Sequence, residues 1–241
     1  MKKLFVSLVA AIVATTACFG QSSLLATLSH EGTISTFYGA GALRAAHAAA
    51  ADGDIITLSS GSFVSTDITK GITLRGAGME VNSEVHGEPT IISGDFSINI
   101  PEETTERLTI EGIYHNATIG VSKRLENATF LKNRFRIFAS NQAETIKNAT
   151  FIHCRISERL SLMADCSAAC VNCIIMNPLT VSQSTSNFEH LWSSRSDEHV
   201  KSDCVGTVFQ TALFFLVVIP GRSLGIINMT RMAVWKTVPS R

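Results

Sequence analysis

"LENATFLKNRF" (residues 125–135) is nearly rewritten as "IKNATFIHCRI" (146–156), 21 residues later, with apolar residues falling over apolar residues at alternate places. Alternation at period two marks a strand with one buried face. Repetition of that pattern at a near-constant interval marks a solenoid, in which one turn cannot bury its inner face alone and the next turn supplies the partner. The register extends upstream through "ITLRGAG" (72–78), "IISGDF" (91–96) and "LTIEGIY" (108–114), and downstream to "CVNCIIM" (170–176). One small or polar column then reads Gly76, Gly94, Gly112, Asn133, Cys154, Cys173, in steps of 18, 18, 21, 21 and 19 residues. The aliphatic column two places earlier reads Leu74, Ile92, Ile110, Leu131, Ile152, Val171. That column is expected to be buried and stacked, so that an Asp at position 152 would bury an unpaired charge and unfold the middle coils.

Leucine-rich repeats need a fixed "LxxLxLxxN" frame, and the sequence has none. A parallel β-helix accepts the drift in repeat length, because its turns vary while its strands stay aligned. The predicted fold is therefore all-β: a right-handed parallel β-helix of seven to eight coils. At its start, "GALRAAHAAAADGDIITLSSGSF" (41–63) reads as a short Ala-rich helix, a turn at Asp52-Gly53 and an apolar strand. An open solenoid end exposes unpaired strand groups, and the helix is expected to cap it. The run from Leu43 through "DGDIITLSSGSF" into "ITLRGAG" resembles the opening of right-handed parallel β-helix proteins of the pectin-lyase-like group. As text the resemblance covers residues 43–78, and as a repeat pattern about 37–180. It implies the fold, and much less the activity, since this fold hosts many functions.

Composition fits this architecture. Hydrophobic residues make up 45% and charged residues 17%, with a formal net charge of zero. That balance excludes a disordered chain and a nucleic-acid binder acting through an overall basic field. Lys2 and Lys3 precede an apolar run at residues 4–14, which is too short to span a bilayer, followed by small residues. This is the pattern of a bacterial secretory signal peptide cut after Gly20. A cut before Cys18 would instead give a lipid anchor, the one route by which a membrane enters this reading. The expected organisation is a signal peptide at 1–20, the capped β-helix at 21–185, and terminal coils or a divergent tail at 186–241. The chain is expected to be secreted, or held at the cell surface or in the periplasm.

Six cysteines are present, and removal of Cys18 leaves an odd number, which speaks against a disulfide scaffold. "CSAACVNC" (166–173) resembles in its spacing the iron–sulfur signature of radical S-adenosylmethionine enzymes, but those are cytoplasmic barrels and this sequence opens with an export pattern. The preferred reading stacks Cys154 on Cys173 as small buried side chains and leaves Cys166 and Cys170 near a turn. The glycines of "YGAGALR" (38–44) lack the spacing of a phosphate loop and read as turn and cap. The "NAT" triplets at Asn116, Asn127 and Asn148 read as coil corners. The seven histidines form no metal-ligand spacing, and no serine-hydrolase elbow occurs. No metal and no cofactor are expected.

If the aligned columns point inward, their neighbours point outward. One outward column reads Arg75, Ser93, Glu111, Lys132, His153, Asn172, and the next Ala77, Asp95, Ile113, Arg134, Arg155, Ile174. Lys132, Arg134, His153 and Arg155 then form a basic patch on adjacent coils, edged by Asp95 and Glu111. The partner this implies is an acidic polysaccharide, not a nucleic acid. Two functions remain open. One is a non-catalytic exported module, structural or glycan-binding. The other is a polysaccharide lyase or glycosidase, in which Lys132 or His153 would take the proton beside a uronate carboxylate, or a carboxylate pair would act on a glycosidic bond. Only Asp95 and Glu111 are candidates for such a pair, and this favours the non-catalytic module.

Overall fold

The computed structural model describes residues 24–80, 87–140, 142–163 and 165–175, together with short strands beyond them. The chain begins with a hairpin, β1 (Leu25–His30) and β2 (Thr33–Tyr38), and the helix α1 (Ala42–Ala49). The first coils follow as β3 (Ile55–Leu58), β4 (Gly61–Val64), β5 (Thr73–Arg75), β6 (Thr90–Ser93) and β7 (Phe96–Ile98). The central coils comprise β8 (Thr109–Glu111), β9 (Ile113–Val121), β10 (Leu125–Glu126), β11 (Thr129–Leu131), β12 (Arg134–Ser140) and β13 (Ile146–Lys147). Then come β14 (Ala149–Ile152), β15 (Arg155–Leu162), β16 (Ser167–Val171) and β17 (Ile174–Ile175). Both walls are extended by β18 (Leu179–Val181), β19 (Thr185–Glu189), β20 (Trp192–Ser193), β21 (Val208–Gln210) and β22 (Leu213–Phe214).

These strands form a parallel β-solenoid with two long walls. One wall runs β2-β1-β3-β5-β8-β11-β14-β16-β19-β21 and the other β4-β6-β9-β12-β15-β17-β20-β22. Every pairing is parallel except those of β1, which is antiparallel to both β2 and β3. The solenoid has about five turns, fewer than the seven or eight that the repeat count predicts. The excess has a physical origin. Ile92 lies in the second wall, where it pairs with Phe63 and His115, whereas Leu74 pairs with Ile110 in the first. "IISGDF" is therefore the far wall of the coil that "ITLRGAG" opens, and not a coil of its own.

The inward columns follow from these registers. In the first wall they are Ile56, Leu74, Ile110, Phe130, Phe151 and Cys170. In the second they are Phe63, Ile92, His115, Phe135, Ile156 and Ile175. All twelve are buried. The expected aliphatic column is thus right for Leu74, Ile92 and Ile110 and wrong by one residue for Leu131, Ile152 and Val171. These three are half-buried and face outward beside Phe130, Phe151 and Cys170. Cys170 accordingly belongs to a strand column and not to a turn. The Phe130 and Phe151 rings stack at 4.8 Å between centroids and 14° between planes. Phe138 closes edge-on against both, at 5.0 and 5.1 Å.

The corner between the walls explains the slip. Gly76, Gly112, Lys132, His153 and Asn172 follow the paired strand ends and form one corner column. Gly112, Lys132, His153 and Asn172 have φ of 67°, 52°, 53° and 53°. This left-handed backbone turns the chain through the corner, and it strains any residue but Gly and, to a lesser degree, Asn. Gly76 is needed for space, since a Cβ there would stand 2.4 Å from the Gly112 carbonyl oxygen. Gly112 therefore matches Lys132 and not Asn133. The next position reads Ile113, Asn133, Cys154, Cys173 and turns inward, and all four are buried. Its polar members do the same work on successive coils. Asn133 Nδ2 donates to Ile110 O at 2.7 Å, Cys154 Sγ to Phe130 O at 3.2 Å and Cys173 Sγ to Phe151 O at 3.4 Å. Asn127 and Asn148 take left-handed φ of 53° and 57° at another corner and touch side chain to side chain at 3.5 Å. Asn116 lies instead within β9, where the register slips against β12.

The solenoid opening is capped as expected, and by more than the helix. Helix α1 buries Ala42, Leu43, Ala46 and His47. The Lys70 ammonium donates to the carbonyls of His47, Ala48 and Ala50, which places a cation at the helix C-terminus. The hairpin β1–β2 completes the cap by pairing with β3 and covering its free edge. Among the described residues no helix is long and apolar enough to cross a membrane. The segments 1–20 and much of 186–241, with their expected cleavage site and tail, lie outside the described residues.

The registers separate two neighbouring positions. Phe151→Ala should cost ~3–5 kcal/mol of unfolding free energy, because it opens a cavity beneath Phe130 and Phe138. Ile152→Asp should cost far less than Phe151→Asp, since its side chain faces outward. Denaturant unfolding of the three variants measures the order, and an equal loss for Ile152→Asp and Phe151→Asp would contradict the register.

Candidate functional site

The outer face of the second wall and its adjoining corner carry the basic residues. Arg134 opens β12 and Arg155 opens β15, and the two are direct ladder partners on adjacent coils. Neighbouring parallel strands lie ~4.8 Å apart, so two guanidinium stems run side by side. Arg134 also pairs with Tyr114 on the preceding coil, and its guanidinium carbon sits 4.5 Å from the Tyr114 ring centroid. A guanidinium over an aromatic face keeps its charge while sharing apolar surface. Lys132 and His153 occupy the corner two residues before them, both exposed. His153 Nε2 lies 3.2 Å from Asn172 Nδ2, which fixes the ring between two coils. Lys132, Arg134, His153 and Arg155 are therefore brought together on two successive coils, wrapped around one corner.

Asp95 and Glu111 stand on different walls, and the Asp95 charge reaches Arg136 beside this group. Glu111 ends β8 in the first wall and faces Arg75 Nε at 3.5 Å. Asp95 follows β6 on the second-wall side, and its Oδ1 accepts the Thr118 amide at 2.7 Å. Asp67 does the same for Ser97 at 2.8 Å, so the Asp95 carboxylate serves the backbone of the coil edge. The two carboxylates stand on different walls with different partners. A further ion pair, Arg136 Nε to Glu158 Oε1 at 2.6 Å, flanks the Arg134–Arg155 column, and it raises the Arg136 pKa.

Two features escape a reading of the repeat alone. Tyr114 as the floor under Arg134 becomes visible only when Gly112 is aligned with Lys132. The second is a polar groove of about 660 Å³ on the loop side, lined among others by Glu102, Glu103, Lys123, Arg124, Glu144 and Lys147. Apart from Lys147 in β13, the residues named come from connecting turns, so periodicity does not reveal it. Two of its cations already hold acids, Arg124 with Glu126 and Lys147 with Glu144 at 3.9 Å. Among the described residues no group of three or more His, Cys, Asp or Glu is arranged to hold a metal ion.

Three histidines have environments that shift their protonation. His30 Nδ1 lies 2.8 Å from Asp54 Oδ1, and that bond, with the carboxylate charge, raises its pKa from 6.5. Burial lowers the pKa of His115, which lies in the second-wall core with Nε2 bonded to Gly94 O at 2.9 Å. Burial and then the Lys70 charge lower that of His47, whose Nε2 accepts the Thr69 amide at 3.2 Å.

No protein-family model, no curated protein and no solved structure matches this chain.

The histidines give opposite pH dependences. The raised pKa of His30 adds stability below about pH 6.5 that fades as pH rises through the raised value. The lowered values of His115 and His47 add stability above about pH 6.5 that fades as pH falls through them. His30→Ala should therefore destabilise most near pH ~5.5 and least near pH ~9. His115→Phe, which continues a column of Phe and Ile, should flatten the loss on the acid side. Thermal unfolding across this pH range checks both signs.

Proposed function

We propose that this chain is an exported bacterial β-helix module of the pectin-lyase-like kind, non-catalytic, which binds acidic polysaccharide along the corner and outer face that carry Lys132, Arg134, His153 and Arg155. The observation that supports this reading is the ladder pairing of Arg134 with Arg155, with Lys132 and His153 one turn of backbone away. Like charges directly opposite on neighbouring strands are unfavourable by a few tenths to about 1 kcal/mol. An anion bridging the two coils relieves that repulsion, and a uronate or sulfate repeated along a chain does so at several points. Arg suits this role because its fork engages a carboxylate with two donors, and Tyr114 holds one fork in place. A non-catalytic role is supported by the separate engagements of Asp95 and Glu111.

The test is retention of the purified protein on immobilised polygalacturonate against a neutral glucan, over a series of salt concentrations. Binding should be selective for the polyanion and weaken with salt. Lys132→Asn with Arg155→Ser should lower affinity about tenfold or more, equivalent to ~1.4 kcal/mol. Asn suits the left-handed corner, so the thermal midpoint should be equal or slightly raised. A sharp loss of stability with binding intact would make these residues structural. Release of unsaturated sugar product in the same incubation would replace binding by lyase activity. Mass spectrometry of protein from its native host should find the mature chain starting near Gln21, and a lipid-modified Cys18 would move it to a membrane surface.

A further inference from the structure

Three thiols converge inside the solenoid at its most C-terminal fully described coil. Cys154 and Cys173 occupy the same inward position on consecutive coils, since Arg155 pairs with Ile174 and the Ile174 amide donates to Cys154 O at 2.9 Å. Each thiol points the same way, toward the carbonyl of the first-wall residue one coil earlier. Cys154 and Cys170 both lie close enough to the Cys173 thiol to shift its protonation. All three are buried, and no disulfide joins them in this structure.

We propose that Cys154 and Cys173 are a disulfide site, which in an oxidising environment staples one coil to the next. Laterally adjacent parallel strands hold their Cα atoms ~4.8 Å apart, inside the range of about 4.4–6.8 Å that a disulfide spans. Their Cα–Cβ bonds leave equivalent positions and point to the same interior space. Cys170 is less suited to bond Cys173. The two lie on either side of the left-handed Asn172, so their side chains start from different walls. Cross-linking displaces only weak contacts of these thiols, to Phe130 O and Phe151 O and with the Cys170 thiol.

The reaction is thiol–disulfide exchange with a small disulfide as oxidant. Cys173 is the most acidic of the three thiols, because Cys154 and then Cys170 can turn an S–H toward its sulfur once that sulfur carries charge; burial raises Cys154, and the interaction with Cys173 followed by burial raises Cys170. Its thiolate attacks one sulfur of the oxidant and releases the first thiol. Cys154 then gives up its proton, attacks the Cys173 sulfur of the mixed disulfide, and releases the second thiol. Two protein thiols become one disulfide while one oxidant disulfide becomes two thiols. Burial of both sulfurs means that exchange takes place during folding or in a transient opening of the last coils.

The full chain, refolded in a mixture of reduced and oxidised glutathione, is alkylated, digested without reductant and analysed by mass spectrometry. A peptide linked through Cys154 and Cys173 is expected, with Cys170 and Cys166 alkylated. The oxidised protein should unfold several degrees above the same protein in dithiothreitol. Cys154→Asn should lose that difference and still fold, because Asn133 fills the same column position one coil earlier. Cys170→Ser should keep the link. A Cys170–Cys173 bond, a link to any other cysteine, or four alkylated thiols at Cys154, Cys166, Cys170 and Cys173 after refolding would each overturn the proposal.

Discussion

The structure depends on one backbone constraint, the left-handed turn that carries each coil from its first wall to its second. With φ between 52° and 67° at Gly112, Lys132, His153 and Asn172, the strand that ends with its side chains alternating on one wall restarts on the other with one inward residue between. Everything on either side is phased by that residue. It puts Phe130 and Phe151 in the same column, so that their rings stack. It also turns Asn133, Cys154 and Cys173 inward, where each satisfies a carbonyl of the coil before. A Gly fits such a turn without strain, and Asn with little. A Lys or a His there stores of order 1 kcal/mol or more.

The same turn decides how much of the fold is legible in the sequence. The 21-residue repeat is plain because those two coils have equal length, and the aligned strands β11 and β14 fall in register residue for residue. The parallel solenoid, the helical cap and the stacking of Cys154 on Cys173 follow from it. The slip comes from treating Gly112 as the counterpart of Asn133, when a corner can be a Gly in one coil and a Lys in the next. Side-chain chemistry does not signal a backbone angle when the residue is Lys. The coil between Leu74 and Ile110 spans 36 residues, twice the step before it, and its second wall then passes for an additional coil. The hairpin β1–β2 has a local signature in Glu31-Gly32, at φ of 46° and 80°, but its pairing with β3 is antiparallel and lies outside any repeat.

The basic group is legible for a different reason. Outward residues two places apart on equal-length coils must stack whichever residue is taken as the corner, so Arg134 over Arg155 survives the one-residue slip. The alignment does not fix Asp95 and Glu111 in the same way, because they belong to coils of other lengths and to different walls. Repeat arithmetic is reliable where steps are equal. Across unequal steps the chain can insert a whole wall.

A solenoid transmits such columns into function through its geometry. In a globular domain two like charges brought together can rotate apart, but here the ladder fixes their origins ~4.8 Å apart and the neighbouring columns limit where the heads can go. Arg134 is held over Tyr114, and Arg136 in the next column is already committed to Glu158. The adjacency of Arg134 and Arg155 is thus built into the fold and is not an accident of side-chain placement. Glu111 holds Arg75, and Asp95 holds the Thr118 amide. In the proposed binding mode an anion lying across the coils would meet both stems with no rearrangement of the walls. The backbone that dictates the core therefore also fixes where these cations start, and in the proposed binding mode that alignment would reduce the ordering cost of holding a polyanion across them.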